Sequence, residues 1–269
     1  MRSVFSVLTC APWLLCFGVR LAIIDEKAVF ASSPDYQTVN IGTHASHIDG
    51  LAMMVVYWRN RHRCMPPCAV VKREVLLTPF YGLFAFFVGN VFVERKSVKN
   101  AAIKSMDKVG ERLRCGYVVG AFPEGSRRRT CSVGKEHLLP FKRGVFHMIH
   151  KIVSQGVKVY VSPFCLIGSR SAWPTGRLIP LPRSKILLKF CPPIDPGSFE
   201  NAEALCQRTK YVIEEGIEEA ARSENGSYDI NLAFSKGAEI DLRAEFLLNA
   251  ILLCVPPFAT LGLAHLGLL

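Results

Sequence analysis

The run His44-Ala45-Ser46-His47-Ile48-Asp49 sets an imidazole five residues before a carboxylate. An imidazole whose tautomer is held by a carboxylate is a general base that can take a proton from a hydroxyl. The pairing needs a bend, because on a continuous helix five residues lie about 140° apart around the axis and the two side chains would not face one site. A strand ending near Gly42, a short turn and a helix beginning at Ser46 supply it. A second reading uses the same residues: Ser46-x-x-Asp49 is a helix-capping pattern, in which Asp49 serves an orphan N–H and His44 only ends a strand. His47 is assigned no role.

Downstream lies Phe122-Pro123-Glu124-Gly125-Ser126-Arg127. Pro123 stops a strand ladder and Gly125 permits a tight turn, which presents Glu124 and Arg127 at the carboxyl edge of a sheet, where open α/β sheets bind ligands. Arg127 offers a two-pronged fork for phosphate, and Glu124 either accepts hydrogen bonds from a polyol or orders the loop. The plainer alternative is a solvated turn whose basic run Arg127-Arg128-Arg129 touches water or acidic lipid headgroups. Between the two segments, the strand-like Val91-Phe92-Val93 leads to Glu94-Arg95. Arg95 is either a second phosphate ligand or a solvated strand end.

The elements that must position these residues alternate in type. Thr38–Gly42 reads as a strand and Leu51–Trp58 as an apolar helix; Asn100–Arg114 has near-helical apolar spacing, and Tyr117–Phe122 is a β-rich run. Val145–Val153 follows as a helix and Val157–Ile167 as a buried strand. Lys185–Cys191 is a further strand, and Ala202–Ala221 an amphipathic helix with a Glu-rich face. This order predicts an α/β layer fold: a largely parallel sheet flanked by helices.

The chain has 269 residues, half of them apolar, which is ample for one substantial core. Its formal net charge of +11 points to an anionic partner, whether nucleic acid, a phospholipid surface or a phosphorylated substrate. No nucleic-acid-binding motif or basic helix is present, and apolar tracts at both termini favour lipid. The ten cysteines are spread through apolar context, as expected of reduced, buried thiols, so no disulfide is expected. His62, Cys64 and Cys68 lack a second ligand pair at zinc spacing; they read as loop residues, and no metal site is expected.

Val4 to Ile24 is apolar apart from small polar residues and Arg20, and no small-x-small cleavage site precedes Asp25-Glu26. Residues 1–24 therefore read as a retained membrane anchor or interfacial helix rather than a signal peptide. Phe246 to Leu269 carries no formal charge over a length sufficient to cross a bilayer, with Pro256-Pro257 bending it into a kinked span or re-entrant hairpin. Val75 to Val93, interrupted by Pro79, Gly82, Gly89 and Asn90, reads as helix, turn and strand at the membrane face rather than a third span. Residues 25–245 then form one domain on one side. Arg59, Arg61, Arg63, Lys72 and Arg73 make that side cytosolic by the positive-inside bias.

With these segments in place, the sequence resembles the glycerolipid acyltransferase family, above all its 1-acyl-glycerol-3-phosphate acyltransferases, over residues 38–195. His44 through Asp49 is similar to the family's His-x4-Asp box, Phe92-Val93-Glu94-Arg95 to its second box and Phe122 through Arg127 to its Phe-Pro-Glu-Gly-Thr-Arg box. Val161-Ser162-Pro163 stands where a fourth, proline-containing box falls, and Lys72-Arg73-Glu74 and Phe141-Lys142-Arg143-Gly144 also match. Thr43 stands where asparagine is common, Ser126 where threonine is, and Glu94 where aspartate is frequent.

The resemblance implies a catalytic pair, His44 and Asp49, and a substrate-binding set, Arg95, Glu124, Gly125, Ser126 and Arg127. It implies transfer of an acyl group from acyl-CoA, or from acyl carrier protein, to the sn-2 hydroxyl of lysophosphatidic acid, giving phosphatidic acid in phospholipid biosynthesis. No metal or cofactor is implied. The oxyanion donors are expected among backbone N–H groups near the boxes. Membrane phospholipid is the expected setting, with the endoplasmic reticulum as the location in a eukaryote. Two other functions stay open: acylation or transacylation of another lysophospholipid or of glycerol-3-phosphate, and a catalytically inactive membrane lipid-binding protein.

Overall fold

The computed structural model describes residues 11–25, 36–59, 67–77, 85–86, 89–93, 99–125, 138–174, 176–177, 179–222 and 229–247. In chain order these form a short helix α1 (residues 11–16), β1 (Arg20–Ile24), β2 (Gln37–Gly42), α2 (Ile48–Arg59), β3 (Pro67–Lys72), a 3-10 turn (Arg73–Leu77), β4 (Val91–Val93), α3 (Lys99–Arg114) and β5 (Val118–Ala121). There follow α4 (Gly144–Ser154), β6 (Val159–Ile167), α5 (Ser169–Ala172), β7 (Lys185–Phe190), α6 (Ala202–Ala221), α7 (Ile230–Ser235), β8 (Ala238–Glu239) and α8 (residues 242–247).

Eight strands form one sheet in the order β4-β3-β5-β2-β6-β7-β1-β8. From β4 to β6 the neighbours run parallel; β7 turns back antiparallel to β6, β1 is parallel to β7, and β8 is antiparallel to β1. The expected largely parallel α/β sheet is therefore present, with two antiparallel joints. The carboxyl ends of β3, β5, β2 and β6 reach one edge, and the amino ends of β7 and β1 begin at that same edge.

Both faces of the sheet are covered, which is why its central strands read as continuous apolar runs rather than alternating ones. On one face Val39, Ile41, Val119, Val161, Cys165 and Leu187 join a core with residues of α3, α4, α6 and α7. On the other, Leu21, Ile23, Phe164, Leu166, Leu188 and Phe190 pack with α1, α2 and residues of α8. Helix α6 shows the local logic: Asn201 accepts hydrogen bonds from the N–H groups of Glu203 and Ala204, and Leu205, Thr209, Val212, Ile213, Gly216 and Ile217 form the buried stripe.

Three expectations change. Over residues 11–24 the apolar N-terminal tract is not one membrane helix but α1, a turn and β1, where Leu14, Leu21 and Ala22 are fully buried. The composition that suits lipid equally suits a strand buried on both faces, and Arg20 ends the run by pairing its Nε with Glu239 Oε1 at 2.7 Å. Residues 1–10 and 248–269 lie outside the described residues, and among the described residues no helix is long and apolar enough to cross a membrane. Cys68 is not a loop thiol but a fully buried residue of β3. Cys165, Cys191 and Cys206 are buried thiols as well, whereas Cys16 and Cys115 are exposed. Within Val75–Val93 the strand stands at Val91–Val93, while the described part of the expected helix is the 3-10 turn ending at Leu77 and a helical pair at 85–86.

Candidate active site

Strand β2 delivers His44 two residues beyond its end, and α2 begins at Ile48, two residues later than the expected Ser46. The bend that a helix alone could not make is thus present. Asp49 is fully buried, and its Oδ2 accepts from His44 Nδ1 at 3.0 Å and from the N–H groups of Ala45 and Ser46, both at 2.8 Å. Two backbone donors already fix this oxygen as an acceptor, so the ring must donate at Nδ1 and keep its lone pair at Nε2. Nothing among the described residues bonds Nε2, and the His44 side chain is 26% exposed. The base reading and the capping reading are one structure: the bond from Ser46 N is the return arm of a capping box, and the same oxygen orients the ring.

The second segment leaves β5, which is the parallel neighbour of β2 with Ile41 opposite Ala121. Phe122 stacks on the His44 ring, with centroids 4.7 Å apart and planes 18° from parallel. Gly125 closes the turn by donating to Phe122 O at 3.0 Å. Its φ of 66° lies in the left-handed region, which favours glycine, and a Cβ there would meet Lys142 Cε at 2.8 Å, a clash the flexible end of that exposed side chain can relieve.

Glu124 is 3% exposed. Oε1 accepts from His44 N at 2.9 Å and Oε2 from Leu139 N at 3.1 Å. Of the two roles open to it, ordering the loop is the one this geometry provides, as a brace on the His44 backbone. A buried carboxylate is tolerated because both oxygens receive N–H donors. Ser126, Arg127 and Arg95 lie outside the described residues, as do Arg128 and Arg129.

Four backbone amides near the boxes already have acceptors. The consecutive N–H groups of His44, Ala45 and Ser46 are taken by Glu124 and Asp49, and that of Gly125 by Phe122 O. These four amides do not point at a reacting atom. On the β6 side, the buried Thr43 accepts from Leu166 N at 2.9 Å through Oγ1, carrying the β2–β6 ladder past the end of β2. Ser46 Oγ donates to Trp173 O at 2.9 Å. The Val161-Ser162-Pro163 box lies within β6 opposite Val39, Asn40 and Ile41, below the edge, and belongs to the scaffold.

Three features escaped sequence reasoning. The stacking of Phe122 on His44 depends on the register of two strands. Lys142, exposed and folded over Gly125, depends on the return of a distant segment through Lys142 N to Pro123 O at 2.8 Å. The buried bond from Asn40 Nδ2 to Tyr57 OH, 2.9 Å, ties β2 to α2 beneath the site. Only Lys142 had a local signal, its place in the Phe141-Lys142-Arg143-Gly144 run.

The acyltransferase family model matches residues 31–167, just over half of the chain. Human 1-acyl-sn-glycerol-3-phosphate acyltransferase alpha is 34% identical over 133 residues, covering 49% of this chain and 42% of that protein. The 1-acyl-sn-glycerol-3-phosphate acyltransferase of Escherichia coli strain K12 is 26% identical over 156 residues, 57% of this chain and 58% of its own length. The chain thus spans about half the length of the curated relatives it matches. In fold it is similar to the crystal structure of the 1-acyl-sn-glycerophosphate (LPA) acyltransferase PlsC from Thermotoga maritima, with a TM-score of 0.61, 20% identity, and coverage of 80% of this chain and 78% of that one.

Proposed function

The chain belongs to the acyltransferase family, and from that premise we propose that it transfers a fatty acyl group from acyl-CoA to the sn-2 hydroxyl of 1-acyl-glycerol-3-phosphate, giving phosphatidic acid. The observation that carries the proposal is the His44–Asp49 pair, with Nδ1 held at 3.0 Å and Nε2 without a bond among the described residues. His44 Nε2 takes the hydroxyl proton as the acceptor oxygen attacks the thioester carbonyl. The carbon–sulfur bond then breaks, and the proton passes from the imidazolium to the departing thiolate. No covalent acyl-enzyme, metal or cofactor enters this scheme. Arg95 and Arg127 are proposed to hold the acceptor phosphate, with Ser126 and Gly125 shaping their loop and Glu124 bracing it. Named relatives that are 1-acyl-sn-glycerol-3-phosphate acyltransferases support lysophosphatidic acid as the acceptor. The basic net charge supports a setting at a phospholipid membrane, with the domain on the cytosolic side and, in a eukaryote, at the endoplasmic reticulum.

Release of coenzyme A from membranes containing the protein, measured over a panel of acceptors, tests the assignment. Lysophosphatidate is expected to be turned over well above glycerol-3-phosphate and lysophospholipids with larger headgroups; the reverse order removes it as the acceptor. His44→Ala is expected to lower turnover by about 10²–10⁴-fold with the circular dichroism spectrum retained. Unaltered turnover would take His44 out of the reaction.

A further inference from the structure

The last residue of β2 has no side chain where its neighbours on the adjoining strands are bulkiest. Gly42 pairs with Phe164 of β6, and Phe164 pairs in turn with Phe190 of β7. Phe122 extends the row on the other side, because Ala121 before it is the partner of Ile41. Across four adjacent strands the row therefore reads Phe122, Gly42, Phe164, Phe190, with its rings on the face that α2 covers. Phe122 and Phe164 stand two strands apart, roughly 10 Å at the usual spacing. Their ring centroids are nevertheless only 6.0 Å apart, with planes at 73°, an edge-to-face contact. The two rings meet over Gly42. A Cβ at residue 42 would lie 2.2 Å from Phe164 Cε2 and 2.3 Å from Cζ, so the Phe164 ring fills the space that a side chain would take. That ring has little room to swing aside, being 1% exposed and packed against Phe190, also 1% exposed, at 5.8 Å.

The consequence of this packing falls on His44. The bond from Nδ1 to Asp49 Oδ2 sets where one edge of the imidazole lies, but leaves the ring free to tilt about that bond. The Phe122 face, 18° from parallel at 4.7 Å, removes the tilt and narrows the directions in which Nε2 can point. We infer that Phe122 and Gly42 are positioning residues of the base: Phe122 sets the plane of the His44 ring, and Gly42 admits the Phe164 contact that holds Phe122 in place. The stack acts on charge as well. Once Nε2 has taken a proton, the ring is a cation over an aromatic face, an attraction the neutral imidazole does not have. The effect on turnover rests on the acyl-transfer reading above, whereas the orientation of the ring can be read without turnover.

The test uses both readouts on the full chain. In protein carrying 13C-labelled histidine, the ring C–H resonances of His44, identified by their loss in His44→Ala, are expected to lie upfield through the ring current of Phe122. They should move downfield in Phe122→Leu and stay near their parental place in Phe122→Tyr. Phe122→Leu is expected to lower kcat about 10–100-fold with KM for the acceptor nearly constant, and Phe122→Tyr to retain most of what the leucine loses. A merely structural role would be served by an aliphatic side chain of similar bulk, so Leu and Tyr variants equal in kcat overturn the inference. Ring resonances that do not move in Phe122→Leu overturn it too. Gly42→Ala is expected to lower kcat as Phe122→Leu does, although the added methyl meets Phe164. With Phe164→Leu in the same chain the clash is gone, and kcat should return to the level of Phe164→Leu alone; parental kcat in Gly42→Ala takes Gly42 out of the role. If the parent turns over no acceptor while the resonances move as expected, the acyl-transfer reading fails and the seat of His44 stands.

Discussion

Replacing Asp49 with asparagine separates the two roles that one oxygen combines. Asparagine can place its carbonyl where Oδ2 stands, so the donors from His44, Ala45 and Ser46 keep an acceptor. Its NH2 then occupies the place of Oδ1, a buried atom with no partner among the described residues, so no existing bond is broken. What is lost is charge. Going from charge-assisted to neutral acceptors costs roughly 1 kcal/mol for each backbone bond, about 2 kcal/mol for the two amides. For a chain of this size that corresponds to a fall in Tm of about 4–8 °C. Catalysis should suffer far more, because the imidazolium formed as Nε2 takes the proton loses its counter-charge. Asparagine can also act as a donor and favour the wrong tautomer. A carboxylate that orients a catalytic imidazole is worth up to about 10⁴ in kcat, roughly 5 kcal/mol. Initial rates of coenzyme A release, taken well below the variant's Tm, should therefore fall by about 10³–10⁴ with KM for the acceptor little changed. A variant that melts lower but keeps kcat within about tenfold, some 1.4 kcal/mol, would make Asp49 a helix cap and nothing else.

Other changes probe the brace and the turn. Glu124→Gln offers one acceptor where the carboxylate offers two, and sets an NH2 against an N–H of His44 or Leu139; we expect about 1–3 kcal/mol of destabilisation in denaturant titration, with kcat lowered and KM for the phosphate-bearing acceptor nearly constant, whereas a rise in KM alone would mean that Glu124 touches the acceptor. Gly125→Ala must hold φ near 66° and displace Lys142, so it should cost about 1–2 kcal/mol and lose activity by distorting the loop; Lys142→Ala in the same chain should recover only the steric part. The exposed Arg20–Glu239 pair makes a pH prediction: the hydrogen bond and then the charge of Arg20 hold the Glu239 carboxyl below its ordinary range. A lowered carboxylate pKa gives stability that is present above the unfolded value and lost as pH falls through the folded one. Glu239→Gln should therefore lower Tm slightly at neutral and alkaline pH and converge with the parent protein as pH falls through the carboxylate range, flattening the acid side of the profile, which thermal melts over that range will show.

The elements that position the site were readable because each has a local cause. Ala202–Ala221 coincides with its apolar stripe, and Val159–Ile167 and Lys185–Phe190 fall inside runs too apolar to lie elsewhere than in a buried sheet. His44 and Asp49 were legible as a pair because their spacing demanded a bend that Gly42 and Ser46 could furnish. Reading failed where the cause is nonlocal. Arg20–Ile24 is a strand only because β7 lies beside it, in register from Lys185 to Lys189, and hydropathy cannot tell that partner from lipid. Pro67–Lys72 stayed hidden for the same reason: its partner β5 lies some fifty residues on, at Val118, Val119 and Gly120. Glu124 kept two roles open because a charged residue in a glycine turn ordinarily faces solvent, and only the neighbouring strand end supplies the amide that draws it inward.

The two carboxylates also constrain where the reaction's negative charge can be held. Glu124 and Asp49 between them take the amides of residues 44, 45 and 46, so the loop that presents the base is pinned by anions along its inner side. Pinning fixes the ring, through Nδ1 on one edge and the Phe122 stack on its face, without using any donor that would meet the substrate. An oxyanion brought close to this loop would meet two buried carboxylates rather than a cluster of open N–H groups. In the proposed reaction, donors for the thioester oxygen are therefore to be sought outside the amides of residues 44–46 and 125.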